Sequence, residues 1–274
     1  MKTKHSLLCL AIASTVLHSC TQNSQVLPSA TVPTDSVSNS SPITVQYNKI
    51  IKKDSVSKDL LTSFQINYAE SISGLNPDVG TKILTELKRQ LILGSSVNPD
   101  NESTATTLEQ AATEFLSESK KEYQEDMLGG GFEHSAAVEK VFDSPKLVSF
   151  EYSFYDYTGG AHGMGGSWYD HFDRNTGEIV TADAWITNMK TFQSIVAQQG
   201  NEAEQQNAKK EKYTYEPLNF GNGSDFPMPE VCPSAEGLIC NYSPYAVAPY
   251  ARGPVIFTIS WDKLTTCVDK TKIF

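Results

Sequence analysis

The stretch Tyr157-Thr-Gly-Gly-Ala-His-Gly163 concentrates the residues of this chain best suited to chemistry. Gly159, Gly160 and Gly163 surround His162, directly after the aromatic run Phe150-Glu-Tyr-Ser-Phe-Tyr155. Glycine accepts positive φ and lets other groups come close. A histidine in such company is either a ligand or base held on a tight loop, or a side chain that caps a turn. As a base it needs an orienting partner and a pKa near the working pH. Asp156, Asp170, His171 and Asp173 are near in sequence. His162, Asp170 and His171 are thus the candidate catalytic set, and histidine with carboxylate also suits zinc. The H-x8-H spacing matches no metal motif, and the chain has no G-x-S-x-G, H-E-x-x-H or P-loop pattern. The turn reading is therefore favoured over catalysis, and no cofactor or metal is expected.

A binding role draws on the aromatic residues around the loop. Tyr152, Phe154, Tyr155, Tyr157, Trp168, Tyr169 and Phe172 flank it. Alternation along a strand sends part of this set into the core. The remainder offers a surface for sugar rings or a partner protein, because Tyr and Trp are favoured at interfaces. The loop Ala248-Pro-Tyr-Ala-Arg-Gly253 has the same character, and its Arg252 either meets an anion or is solvated. The expected binding set is Gly159, Gly160, His162, Gly163, Trp168, Tyr250 and Arg252.

These residues must be positioned by the elements around them. Residues 43–51 and 60–69 alternate as strands. Asn76-Pro77-Asp78 starts a helix whose apolar face is Val79, Ile83, Leu84, Leu87 and Leu91, closed by Gly94. Thr106-x-x-Glu109 reads as a capping box for a second helix running to about Met127, and the three glycines 129–131 end it. Strands follow at 134–142, 146–157 and 167–173, with turns at 143–145 and 174–177. Met189, Phe192, Ile195 and Val196 mark a third helix, and its polar continuation at 198–212 reads as a solvent-exposed extension. Residues 213–235 look irregular, and 237–242 and 254–260 are closing strands. The expectation is an α+β fold: N-terminal helices packed on a mainly antiparallel meander, with one further helix before the closing strands. It divides into an N-terminal part at 43–142 and a β-rich C-terminal part at 143–274, closely packed together.

The N-terminus reads as an export signal. Lys2 and Lys4 precede an apolar run at 7–17, too short to span a bilayer, and the segment ends Leu17-His-Ser-Cys20. This end resembles the lipobox of bacterial lipoproteins, which implies cleavage after residue 19 and a lipid on Cys20. Residues 20–42 are Ser-, Thr-, Pro- and Asn-rich and read as a flexible tether. The formal net charge of −10, with no cluster of basic residues, excludes a nucleic-acid binder and favours a cationic partner. In an exported protein two of Cys232, Cys240 and Cys267 are candidates for a disulfide. The near neighbours Cys232 and Cys240 come first, with Cys267 able to replace either.

Two motifs carry a family resemblance. One is Tyr157-Thr-Gly-Gly-Ala-His-Gly163 followed by Phe172-Asp-Arg-Asn-Thr-Gly177. The other is Tyr242-Ser-Pro-Tyr-Ala-Val-Ala-Pro-Tyr-Ala-Arg-Gly253 followed by Phe257-Thr-Ile-Ser-Trp-Asp-Lys-Leu264. Together they resemble the paired domains of unknown function in the extracellular region of RsiV-like, lysozyme-sensing anti-sigma factors. The same pair precedes the catalytic domain of PdaC-type peptidoglycan deacetylases. The resemblance covers about residues 43–264. It implies a lipid-anchored envelope protein, on the periplasmic side or outer membrane, that binds a protein (lysozyme in one branch) or a cell-wall glycan. A cell-wall hydrolase or deacetylase centred on His162 is the alternative.

Overall fold

The computed structural model describes residues 41–57, 60–98, 101–123, 131–221 and 225–274. The expected signal segment, Cys20 and most of the expected tether lie outside the described residues.

Strands β1 (Thr44–Ser57) and β2 (Leu60–Ser73) form a long antiparallel hairpin, longer than the alternation at 43–51 and 60–69 implies. Helices α1 (Pro77–Leu93) and α2 (Leu108–Glu122) then cross over, so that β3 (Glu133–Asp143) pairs with β2 in parallel. Strands β4 (Leu147–Tyr157) and β5 (Met164–Asp173) complete a sheet of order β1-β2-β3-β4-β5. The architecture is α+β, with a mainly antiparallel sheet.

Local chemistry explains these elements. The Asn76 side chain accepts the Asp78 N–H at 2.9 Å, Pro77 occupies the first turn of α1, and Val79, Ile83, Leu87 and Leu91 are buried against the sheet. Each such apolar side chain contributes about 1.5–3 kcal/mol on burial. The cap of α2 lies one residue beyond the expected box: Thr107 accepts the Gln110 N–H at 3.1 Å, and the Gln110 side chain accepts the Thr106 N–H at 3.0 Å.

The second part begins after Asp173. Helix α3 (Met189–Glu211) packs on an antiparallel sheet of β6 (Glu230–Pro233), β7 (Gly237–Tyr242) and β8 (Val255–Ser260), in the order β6-β7-β8. Two apolar cores result. One runs from Ile43 to Phe172 under α1 and α2, and the other gathers Trp185, Phe192, Val196, Leu238, Phe257 and Ile259. The division expected at 142/143 would cut between the paired strands β3 and β4, whereas the first sheet and its core extend to β5. The polar half of α3 is not a solvated extension. Gly200, Glu204 and Ala208 continue the buried stripe of Phe192 and Val196 at four-residue spacing.

The expected disulfide does not form. Cys232, Cys240 and Cys267 are free and buried. Cys232 pairs across β6–β7 with Ile239, and Cys240 pairs with Val231. Because side chains alternate, this register puts the two thiols on opposite faces of the sheet. Burial pushes the Cys232 thiol up to about 12.

Candidate functional site

The β4–β5 hairpin and the β7–β8 connection meet over one cleft. The hairpin loop needs Gly159 and Gly160 at φ 95° and 93°, a region open to glycine. The Tyr157 hydroxyl donates to the Gly160 carbonyl at 2.9 Å and fixes the loop. From the other side, Tyr250 lies in a single 3₁₀ turn (Tyr250–Arg252). Its hydroxyl donates to the Gly163 carbonyl at 2.7 Å, and its ring stacks on His162 with centroids 4.1 Å apart and planes at 17°. His162 Nδ1 lies 3.0 Å from the same carbonyl. Tyr245 packs on Tyr250 at 5.2 Å and holds φ at 74°, a strained conformation for a residue with a side chain. Gly163 is close-packed: a Cβ there would meet the Tyr155 ring at 2.5 Å and the Asp156 carbonyl at 2.7 Å. Gly163→Ala is therefore expected to lower stability by about 1–3 kcal/mol, measured by urea unfolding.

The cleft encloses about 530 Å³ between Ser153, Tyr155 and Ser167 on one wall and Asn241, Ser243, Tyr250 and Ile256 on the other. Tyr155 and Ile256 are exposed at its rim. Asn241 is buried, and its side-chain N–H donates to Ser167 Oγ at 2.6 Å. The Asn241 Oδ1 atom is buried with no partner, an acceptor on the cleft wall with its hydrogen bond unmade. Arg252 also lines the cleft, and two of its guanidinium nitrogens bond the Glu204 carboxylate. Its Nε donates to Glu204 Oε1 at 2.7 Å, its guanidinium lies 5.0 Å from the Tyr213 ring centre, and Tyr213 donates to the same carboxylate at 2.8 Å. Glu204 is buried, and the Arg252 guanidinium beside it holds its carboxyl below the usual range. Arg252 thus clamps the loop to α3 rather than receiving an anion.

The expected catalytic set is not brought together. His162 is stacked against Tyr250, and Asp170 and His171, adjacent on β5, point to opposite faces of the sheet. Asp170 faces Tyr152 on the helix side, where burial raises its carboxyl. His171 faces the second sheet, with Nδ1 2.7 Å from Ser149 Oγ and Nε2 2.9 Å from the Val231 carbonyl. Desolvation lowers its pKa to about 4, so it is a neutral joint between β5 and β6. Asp156 pairs with His134 at 2.6 Å, not with His162, and Asp173 caps the turn at Asn175 and Thr176. Trp168 stacks on Tyr152 at 4.9 Å on the helix face, away from the cleft. Among the described residues no group of three or more His, Cys, Asp or Glu side chains is placed to hold a metal ion. Of the expected binding set, Tyr250 and Arg252 line the cleft, and His162 and Gly163 lie beside it in contact with Tyr250. Tyr155, from the aromatic set flanking the loop, joins them, and so do Ser167 and Asn241, which no motif announces.

Comparison with protein-family models matches residues 38–165 to the family described as deacetylase PdaC. Residues 181–262 match a family of unknown function, DUF3298. No functionally curated protein matches the chain. A DUF3298 family protein from Bacteroides fragilis superimposes with a TM-score of 0.61 at 14% identity, over 84% of this chain and 95% of that one. One from Pseudomonas aeruginosa gives 0.57 at 16% identity, over 84% and 96%. The first match ends at residue 165, at the start of β5, and the second begins at 181, between β5 and α3 and just before the second core starts at Trp185. This chain pairs a PdaC-type region with a DUF3298 region, the two-part arrangement that its motifs resemble.

Proposed function

We propose that the chain is a non-catalytic binding module of the bacterial envelope, tethered by a lipid on Cys20, whose cleft takes a cell-wall glycan. The observation that carries this reading is the partnerless Asn241 Oδ1 beside a cleft whose lining includes the hydroxyls of Ser153, Ser167 and Ser243 and the rings of Tyr155 and Tyr250. Sugar hydroxyls and acetamido N–H groups supply the missing donor, and the apolar face of a pyranose ring suits exposed Tyr155. No carboxylate or histidine lines the cleft, which favours binding over hydrolysis or deacetylation there. The net charge of −10 favours a second reading, a cationic protein partner such as lysozyme.

The test is calorimetric titration of the full-length chain with N-acetylglucosamine tetramer and, separately, with lysozyme at moderate salt. Saturable glycan binding that Tyr155→Ala weakens about tenfold is expected. Absence of saturable glycan binding, or binding indifferent to Tyr155→Ala, removes the glycan reading. Lysozyme binding alone transfers the site to the protein reading. Release of acetate from the tetramer, lost in His162→Ala, overturns the non-catalytic reading.

A further inference from the structure

We propose that a second cavity, on the helix side of the five-stranded sheet, binds a small organic cation: an alkylguanidinium or a primary alkylammonium. The cavity encloses about 540 Å³. Its floor is His134, Tyr152, Asp156 and Trp168, and its wall is the C-terminal end of α1 with Glu102 beyond it. Alternation on β4 puts Tyr152, Phe154 and Asp156 on this face and Tyr155 on the cleft face, so the two sites are separate.

Three features set the sign of the charge. Asp156 and Glu102 contribute carboxylates to the lining. The α1 C-terminus adds the negative end of a helix dipole, and no basic residue lies in its last turn. The nearby cation Arg89 is bonded to Glu86 at 2.8 and 2.6 Å and interacts with Glu102 only through the longer-range attraction of their charges. Aromatic rings supply the rest of a cation site. Trp168 stacks on Tyr152 at 4.9 Å, and Phe154 lies 6.0 Å from Trp168.

The independent observation is His134. It is 1% exposed, packs in a three-ring cluster with Phe64 at 5.1 Å and Phe115 at 5.7 Å, and forms part of the cavity lining. Its Nδ1 lies 2.6 Å from Asp156 Oδ1, so that Nδ1–H donates to that carboxylate. In the neutral ring the other nitrogen, Nε2, is an acceptor, and it is buried with no partner. A ligand N–H satisfies it, whereas a quaternary ammonium has none to give.

The experiment titrates the full-length chain with n-butylguanidinium, tetramethylammonium and neutral n-butanol, read by calorimetry and by tryptophan fluorescence. Trp168 reports on the cavity, while Trp185 and Trp261 are buried in the second core. The expected result is saturable binding of butylguanidinium, weaker binding of tetramethylammonium and none of butanol. Asp156→Asn and Glu102→Gln each weaken it about tenfold, and Tyr155→Ala leaves it unchanged. Glu102 is exposed, so its variant keeps the test valid if Asp156→Asn fails to fold. Butanol binding as well as butylguanidinium, no saturable binding, or indifference to Glu102→Gln overturns the proposal.

Discussion

Replacing Arg174 with methionine lowers the unfolding free energy by about 3–5 kcal/mol, the cost of breaking a buried ion pair from one side. Arg174 is 7% exposed. One guanidinium nitrogen donates to the Asp143 carboxylate and, at 3.0 Å, to the Ser144 carbonyl, and the other donates to the Ser41 carbonyl. The second oxygen of Asp143 accepts the Ile43 N–H at 2.8 Å. A single side chain at the end of β5 therefore fastens the entry to β1 and the end of β3. Its loss strands a carboxylate in a mostly enclosed site, with only Lys140 at 3.5 Å to compensate. The exposed pair Lys82–Glu178 is the contrast, and breaking it costs about 0–1 kcal/mol because water screens both partners. Urea unfolding of Arg174→Met, Asp143→Ala and the double variant measures the coupling. A loss below about 1 kcal/mol for Arg174→Met, or strict additivity in the double variant, contradicts the buried-pair account.

Where local chemistry decides, the sequence was readable. Asn-Pro-Asp at 76–78 carries its own cap and turn signals, and α1 starts there. The box at α2 slipped by one residue because consecutive threonines, 106 and 107, are followed by Glu109 and Gln110, and only contacts with the chain show which pair closes. The buried face of the second half of α3 was hidden because it is made of Gly200, Glu204 and Ala208. None of these is apolar enough to register, yet Glu204 is enclosed by its bonds to Arg252 and Tyr213. Strand β6 is four residues long and shows no period.

The site divides in the same way. The glycine-rich hairpin and the Tyr250 loop were each visible as turns. Their meeting joins positions 87 residues apart and is a tertiary event. Asn241 carried no signal, because its role comes from facing Ser167 across the junction of the two sheets. Proximity in sequence misled for His162 and its neighbouring acids. Adjacent strand residues point to opposite faces, so Asp170 and His171 part company, while Asp156 meets His134 directly across the β3–β4 ladder.

His171 gives the second large effect, a loss of about 3 kcal/mol of stability from this one group between pH 6.5 and pH 4. Its folded-state pKa is depressed from 6.5 to about 4, first by desolvation, with the Val231 carbonyl opposing. Above pH 6.5 it is neutral in folded and unfolded chains alike, and its full contribution is present. As pH falls below that, the unfolded chain binds a proton that the folded chain refuses, so stability falls until the folded pKa is reached. Asp170 and Glu230 act oppositely over part of this range. Burial raises both carboxyls, and the folded state takes up their protons first. Arg252 and Arg89 hold the carboxyls of Glu204 and Glu86 low, and these add losses only at more acid pH. The contribution of His171 is therefore read as a difference. Unfolding free energies for the parent and His171→Asn, measured from pH 7 to pH 4, should converge as pH falls, with the variant's profile the flatter. Parallel profiles would mean that the imidazole takes its proton inside the fold. Ser149 Oγ would then have to turn from donor to acceptor, because the neutral ring that donates Nε2–H to the Val231 carbonyl accepts at Nδ1. Because this joint ties β5 to β6, its failure in acid loosens the two-sheet junction over which the cleft is built.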